Sequence, residues 1–297
     1  MKAKIKGYKA FEKGMVCLGF QYEEGKTFLH EGPTVLCDEG FHFCKNPLDV
    51  LNFYPLIDSS GELSEFAEVE ALGETKTVGN KSVTNQLRIG AKLDLPGFIK
   101  AGYEALWVKC TEDVKQVASS EDDSKLALSG DYSQVAVLGD SSQLSASGDN
   151  SQLTASGDDS QLSASGDYSQ LATTGNNAQL ASSGDDSQLA AMGDNAQLAA
   201  SGNDSRLTAL GNNSMVVSSG DSNRLALNGK DSVGAAMGID SQIKGKVGNW
   251  ITLAEWKRSG GRYVPVCVKS AQIDGKILKE DTWYKLKNGA FIECRYQ

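Results

Sequence analysis

Basic side chains are absent between Lys125 and Arg206, a stretch in which ten aspartates fall. Direct binding of nucleic acid or of an anionic membrane surface by that stretch is excluded, because like charges would meet. Histidine is almost missing: the 297 residues hold two, His30 and His42, both near the N-terminus. A hydrolytic triad further along the chain is thereby ruled out. No apolar run approaches the roughly 20 residues that span a bilayer, and the opening Met1-Lys-Ala-Lys-Ile-Lys6 has no apolar signal core. The expected site of action is a cytoplasm. The six cysteines (17, 37, 44, 110, 267 and 294) show no paired Cys-x2-Cys spacing and read as reduced thiols, not as a disulfide framework. Aromatic residues are scarce in the middle, where only Tyr132 and Tyr168 lie between 121 and 246.

Glycine, in contrast, is abundant: 32 residues, about one and a half times average usage. Thirteen recur every nine residues from Gly130 to Gly238, with Glu121 in register one unit earlier. The consensus is Gly-Asp-(Asp/Asn)-Ser-Gln-Leu-Ala-Ala-Ser, and a fixed period of this kind identifies a solenoid. Within each unit, as in Ser151-Gln152-Leu153-Thr154-Ala155, a period of two predicts a strand with Leu inward and Gln outward. The Gly-Asx segments read as turns, with glycine expected to supply positive φ. Nine residues make one strand and one turn. Two units then close a flattened coil of eighteen, and fourteen units predict about seven coils with strands on two facing sheets.

Three regions result: an α+β N-terminal domain (1–111), the solenoid (112–246) and a small β-rich tail (247–297) that serves as a cap or as a dimer contact. The predicted fold class is mainly β. In the first region strands are expected near 3–11, 15–22, 41–44, 66–72 and 82–95, with helices over 46–54, capped by Asn46 and Pro47, and 96–108. In the last, strands at 251–256 and 263–273 precede a hairpin turning at Asn288-Gly289.

Gly40-Phe-His-Phe-Cys-Lys-Asn-Pro-Leu-Asp-Val50, with Gly19-Phe-Gln-Tyr22 before it and Asp281-Thr-Trp-Tyr-Lys-Leu-Lys-Asn-Gly289 after the repeats, resembles an uncharacterised domain family of bacteriophage and prophage genomes. The resemblance implies a phage accessory protein acting in an infected host cell, and it transfers no activity. Over some fifteen residues, the Gly-Phe-His-Phe segment with its Asn-Pro turn and Tyr54 also resembles part of ADP-ribosyltransferase-like folds. No Arg, His or Glu of such a site is assignable, so an enzyme is not expected, nor is a cofactor. Cys37, His42 and Cys44 are weak metal candidates that lack zinc-ligand spacing.

Residues 121–246 carry 16 acidic against 6 basic residues, a net of −10, and the flanks 22 against 23, a net of +1, so the repeats account for all of the chain's net charge of −9. In an eighteen-residue coil Asp131, Asp149, Asp167 and Asp185 align along one edge. Asp140, Asp158 and Asp194 align along the other, interrupted by Asn176. Ten Asp over roughly 21 Å give one charge per ~2 Å, near the ~1.7 Å of duplex DNA. Turn chemistry alone also explains Asp in these places, since Asn replaces it at 176, 203 and 212. Calcium, ice and polysaccharide readings fall away for want of Gly-Gly-x-Gly-x-Asp turns, Thr arrays and a long acidic cleft. The function expected first is a non-enzymatic binding protein whose acidic solenoid, a DNA mimic, blocks a basic host defence or nucleic-acid-acting protein. Gln134, Gln152, Gln170 and Gln188 belong to an outward ladder that suits the second reading, an adhesive or structural particle module. A small-ligand sponge is the third.

Overall fold

The computed structural model describes residues 4–32, 39–58, 61–107 and 116–294. The chain divides into two compact units, Met1–Asp113 and Val114–Gln297. The tail from 247 onward belongs to the second.

The first unit is a seven-stranded antiparallel sheet. In spatial order its strands are Thr27–Leu29, Gln86–Leu93, Glu65–Ala71, Ile5–Phe11, Phe41–Cys44, Lys81–Thr84 and Thr75–Val78. One face buries a cluster around Phe11, Tyr22, Phe41, Phe43, Leu87 and Ile89. The helix Leu95–Trp107 forms as expected. The expected helix at 46–54 is instead a 3-10 turn, Leu48–Asn52, with Pro47 as its N-cap and the Asn46 side chain accepting from the Leu48 amide at 3.2 Å. Five residues are too few for the α-helical ladder to repay its nucleation. The expected strand 82–95 breaks at Asn85, whose side-chain oxygen accepts from the Glu74 amide at 2.9 Å. The expected strand 15–22 shrinks to the hairpin Val16–Cys17/Phe20–Gln21, turned by Leu18 (φ 51°) and Gly19 (φ 75°).

The second unit is the β-solenoid, with about 8 turns of about 18 residues between 116 and 253. It has one turn more than the glycine count predicts, because Gln116–Ser119 and Trp250–Leu253 also stack although their units lack the glycine. Alternate strands build two parallel sheets. Gln116, Gln134, Gln152, Gln170, Gln188, Arg206, Arg224 and Gln242 begin the strands of one, and Lys125, Gln143, Gln161, Gln179, Gln197, Met215, Val233 and Trp250 those of the other. Leu153, Leu171 and Leu189 face Leu144, Leu162, Leu180 and Leu198 across a core only one residue deep, all at most 2% exposed. Where Gly234 replaces leucine, the larger Leu227 and Ile243 occupy the vacated space.

The corners overturn one expectation. Positive φ is carried not by the repeat glycines but by the residue two places on, from Asp123 (φ 56°) through Tyr132, Asn150, Tyr168, Asn195 and Asp204 to Asp240 (φ 54°). The glycine is required by close approach. A Cβ on Gly148 would collide with the Gly130 carbonyl group and lie 2.5 Å from the Asp131 nitrogen one coil below. The serine found at this position in most units, with Ala at 178 and 196 and Asn at 223, is buried from Ser133 onward and closes the corner from inside, as Ser151 donates to the Gly148 carbonyl at 2.7 Å.

Tyrosine is poorly suited to a left-handed corner, since its Cβ crowds the backbone there and it lacks the local hydrogen bond that Asn makes. Tyr168→Asn is therefore expected to stabilise the solenoid by about 0.5–1 kcal/mol. Urea melts of the two proteins measure the difference; a less stable variant would show that the ring contributes packing.

At the far end the expected strands appear as Trp250–Ser259 and Arg262–Gln272, which extend one sheet, and Tyr284–Lys287 and Ala290–Glu293, which extend the other. Asn288 (φ 53°) and Gly289 (φ 69°) make the turn that their sequence predicts. Glu255, from the first hairpin, accepts from both turn amides at 2.8 and 2.7 Å, tying the two hairpins into one cover.

Candidate functional site

Each aspartate or asparagine that comes directly after a repeat glycine accepts a hydrogen bond from the backbone amide of the equivalent residue eighteen positions on. Asp131 takes the Asp149 amide at 3.0 Å, Asp149 that of Asp167 at 2.9 Å, Asp167 that of Asp185 at 2.8 Å and Asp185 that of Asn203 at 2.6 Å. On the opposite edge Asp140 takes Asp158, Asp158 takes Asn176, Asn176 takes Asp194 and Asp194 takes Asn212, at 2.6 to 2.9 Å. Both predicted rows thus exist, and each is a continuous staple from coil to coil. Only the Oδ1 acceptor is used, so Asn serves as well as Asp. The ladders end at Lys230 and Ile239, whose backbone amides donate the last bonds, to Asn212 and Asp221. Neither Lys230 nor Ile239 carries a side-chain acceptor, and the stacking step beyond them is one residue short, with Val233 paired to Trp250.

Most of the row is exposed, Asp185 being half-buried. Neighbouring carboxylates sit one coil apart, about 4.8 Å, where two charges in water repel by roughly 0.9 kcal/mol. The charge density estimated for the whole solenoid is shared between two edges, so each presents about half of it. The edge of Asp131, Asp149, Asp167 and Asp185 also carries Tyr132 (60% exposed) and Tyr168 (56%) at its left-handed corners. Sequence reasoning missed these two tyrosines as site residues, although they are the only aromatics of the repeats and stand where Asn, Asp or Ser is usual. Further along, Asp186 has its carboxyl held above the usual range by burial and then by Asp204, Asp185 and Asp167.

The glutamines divide between the sheets. Gln134 and Gln152 are buried and bonded to each other at 3.1 Å, and Gln170 and Gln188 are half-buried. The open ladder is Gln143, Gln161, Gln179 and Gln197, which lines a shallow groove of about 520 Å³ on the nine-stranded sheet. Beside it runs a second groove of about 780 Å³ whose walls are mostly serine and alanine, with Leu128 and Val217.

In the N-terminal unit a cavity of about 160 Å³ gathers Lys9, Cys17, His42, Cys44 and Tyr54 beneath Leu18. Lys9 is 7% exposed. Its ammonium donates to the His42 carbonyl at 3.2 Å and to Cys17 Sγ at 3.3 Å, and lies over the rings of Tyr22 (5.3 Å) and Phe11 (5.6 Å). His42 is pushed down to about 4 by burial, Lys81 and Lys9, so its imidazole is neutral at pH 7. Burial raises the Cys44 thiol to about 12 and keeps it protonated. The Tyr54 hydroxyl, donating to Glu12 at 3.3 Å, is also raised, first by burial and then by Cys17 and Glu12. His42 and Cys44 are thus wall residues, while Cys37 lies outside the described residues. Among the described residues no group of three or more His, Cys, Asp or Glu is placed to hold a metal ion. The sequence offers little signal for the cavity: strand Ile5–Phe11 holds two lysines, and only the structure shows that Lys6 is exposed and Lys9 buried.

Residues 5–101, about a third of the chain, match a domain of unknown function (DUF7666). No curated protein and no solved structure matches the chain. Among the described residues no helix is long and apolar enough to cross a membrane.

Proposed function

We propose that the solenoid is a non-enzymatic binding scaffold that presents an acidic edge, with two tyrosine anchors, to a basic protein partner. The observation that carries this reading is the staple. Each carboxylate on the edge is bonded to the coil above, so the charges stand in a fixed row and little side-chain entropy is lost on binding. Folding needs only an acceptor there, and asparagine supplies one at 176, 203 and 212. Four consecutive aspartates therefore exceed what the fold demands. Two exposed tyrosines at corners that disfavour them point the same way, since tyrosine is the typical rigid anchor of protein interfaces. A partner that acts on nucleic acid is one class with a basic groove able to take a regular row of negative charge, although one edge carries only about half the density of duplex DNA, and an infected host cytoplasm is the setting that the phage resemblance implies.

The test uses Asp131, Asp149, Asp167 and Asp185 changed together to Asn, which keeps every staple and removes four charges. Captured from infected-cell lysate, the partner is expected to bind wild type at about 0.15 M salt, to be released by higher salt or by duplex DNA, and to be lost from the variant. Capture by the variant at wild-type level would end the proposal. Tyr168→Asn is expected to weaken the same capture while leaving the fold intact.

The open Gln and Ser rows of the nine-stranded sheet favour a second reading, an adhesive or structural face in a phage particle. Mass spectrometry of purified virions separates the two: the chain is a stoichiometric component only in the second.

A further inference from the structure

Lys9 poses a problem of its own. An ammonium is costly to bury without a counter-charge, yet no carboxylate lies within ion-pairing distance of Lys9 among the described residues. An ammonium has three protons to donate. Two of them reach the His42 carbonyl and Cys17 Sγ, and the third has no protein acceptor among the described residues. Lys9 and Leu18 line the same cavity, whose other walls are mostly apolar or aromatic: Tyr8, Ala10, Phe43, Val50 and Phe53. Lys81 lies at this cavity as well, its ammonium 4.9 Å from the Phe53 ring centroid. Both lysines, after burial, hold His42 down, so this wall of the cavity is neutral imidazole beside two ammonium groups.

We propose that this cavity binds a small organic carboxylate with a flat apolar body, anchored by the third donor of Lys9. The chemistry selects the class. A single deep ammonium, with no arginine among the lining residues, suits one negative charge better than the two of a phosphate, for which a fork or several donors are usual. Aromatic walls suit a ring. At about 160 Å³ the space is well under the ~300 Å³ at which drug-sized sites begin, so the ligand is of the size of benzoate. Leu18, 91% exposed on its left-handed turn, stands at the mouth as an apolar lip. This inference rests on reading the N-terminal unit as a ligand-binding module and is independent of the acidic edges. The fourfold Asn variant of the solenoid therefore binds as wild type does, whatever happens to its partner.

Cys17 provides the readout, because its sulfur lies 3.3 Å from the anchoring nitrogen and borders the same cavity. The full-length protein is alkylated with iodoacetamide in the presence of sodium benzoate, benzamide or sodium phosphate, up to about 10 mM. The rate at Cys17 is measured by peptide mass spectrometry. Benzoate is expected to slow the reaction at least tenfold and saturably, while benzamide, of the same shape without the charge, and phosphate leave it unchanged. Lys9→Met, checked for folding by circular dichroism, is expected to weaken the benzoate protection by about 10- to 100-fold, the loss of one charge-assisted hydrogen bond. Absence of protection by benzoate in wild type, or equal protection by benzamide, overturns the proposal even if the Met variant fails to fold. A folded Met variant that is protected as well as wild type overturns it too.

Discussion

Alanine at Gly184 is expected to destabilise the solenoid by at least about 3 kcal/mol, near the top of the range for inserting atoms into a packed interior. The reason is backbone geometry. The new methyl would collide with the Gly166 carbonyl group and sit 2.7 Å from the Asp167 nitrogen, and neither can move away without pulling the coil beneath out of register. A flexible side chain would yield; a hydrogen-bonded main chain does not. Because repeats touch only their neighbours, the damage falls on the coils next to residue 184. Urea denaturation monitored by circular dichroism measures it, and hydrogen exchange locates it. Gly25→Ala is the contrast. There φ is +79° and nothing lies within 4 Å, so the only penalty is left-handed backbone, about 1–2 kcal/mol. A loss of less than 1 kcal/mol at Gly184 would mean that the stacked corners are looser than their geometry indicates.

That contrast also marks where the sequence was legible and where it was not. The nine-residue period, the inward leucines and the eighteen-residue coil are readable from spacing, because a repeat imposes the same local choice many times and chance departures do not accumulate. The Asn288-Gly289 hairpin was legible for a related reason: a two-residue turn has few solutions. The role of glycine was not, since its two uses, left-handed φ and close approach, leave the same letter in a sequence. Only the stacked backbone tells them apart. The extra turn escaped the glycine count because Gln116–Ser119 and Trp250–Leu253 join the sheets without the corner glycine that marks all the others but Lys125–Leu128, where Glu121 stands in register.

In the N-terminal unit single elements had to be read once, from patterns with no repetition behind them. Asn46-Pro47 announces a helix start, but the chain then makes a single 3-10 turn. The candidate site shows the same division. Rows of aspartate were predictable because they keep to the period. The Lys9 cavity depends on residues 9, 17, 42 and 54, which tertiary folding alone brings together.

The Asp staple separates charge from structure within one row of side chains, and a pair of variants makes use of it. Changing Asp131, Asp149, Asp167 and Asp185 together to Ala removes the acceptors of four backbone amides, those of Asp149, Asp167, Asp185 and Asn203. Each bond resembles an N-cap, in which an Asx side chain takes a main-chain amide at a surface, and such caps are worth about 1 kcal/mol apiece when replaced by Ala. The four are contiguous, so their effects reinforce rather than merely add. A loss of about 4 kcal/mol or more is expected, enough to unfold that end of the solenoid under mild denaturant. Changing the same four to Asn keeps the acceptor and relieves three repulsive contacts of roughly 0.9 kcal/mol each in water, an upper figure once salt screens them. The Asn variant should be as stable as wild type or slightly more so, and increasingly so as salt is lowered. Chemical denaturation of the three proteins at low and high salt decides the matter. Equal losses for Ala and Asn would show that the carboxylate charge itself holds the coils together. A stable Asn variant that loses the capture of the proposed basic partner would show that four negative charges are kept on this edge for binding, since the coils stack without them.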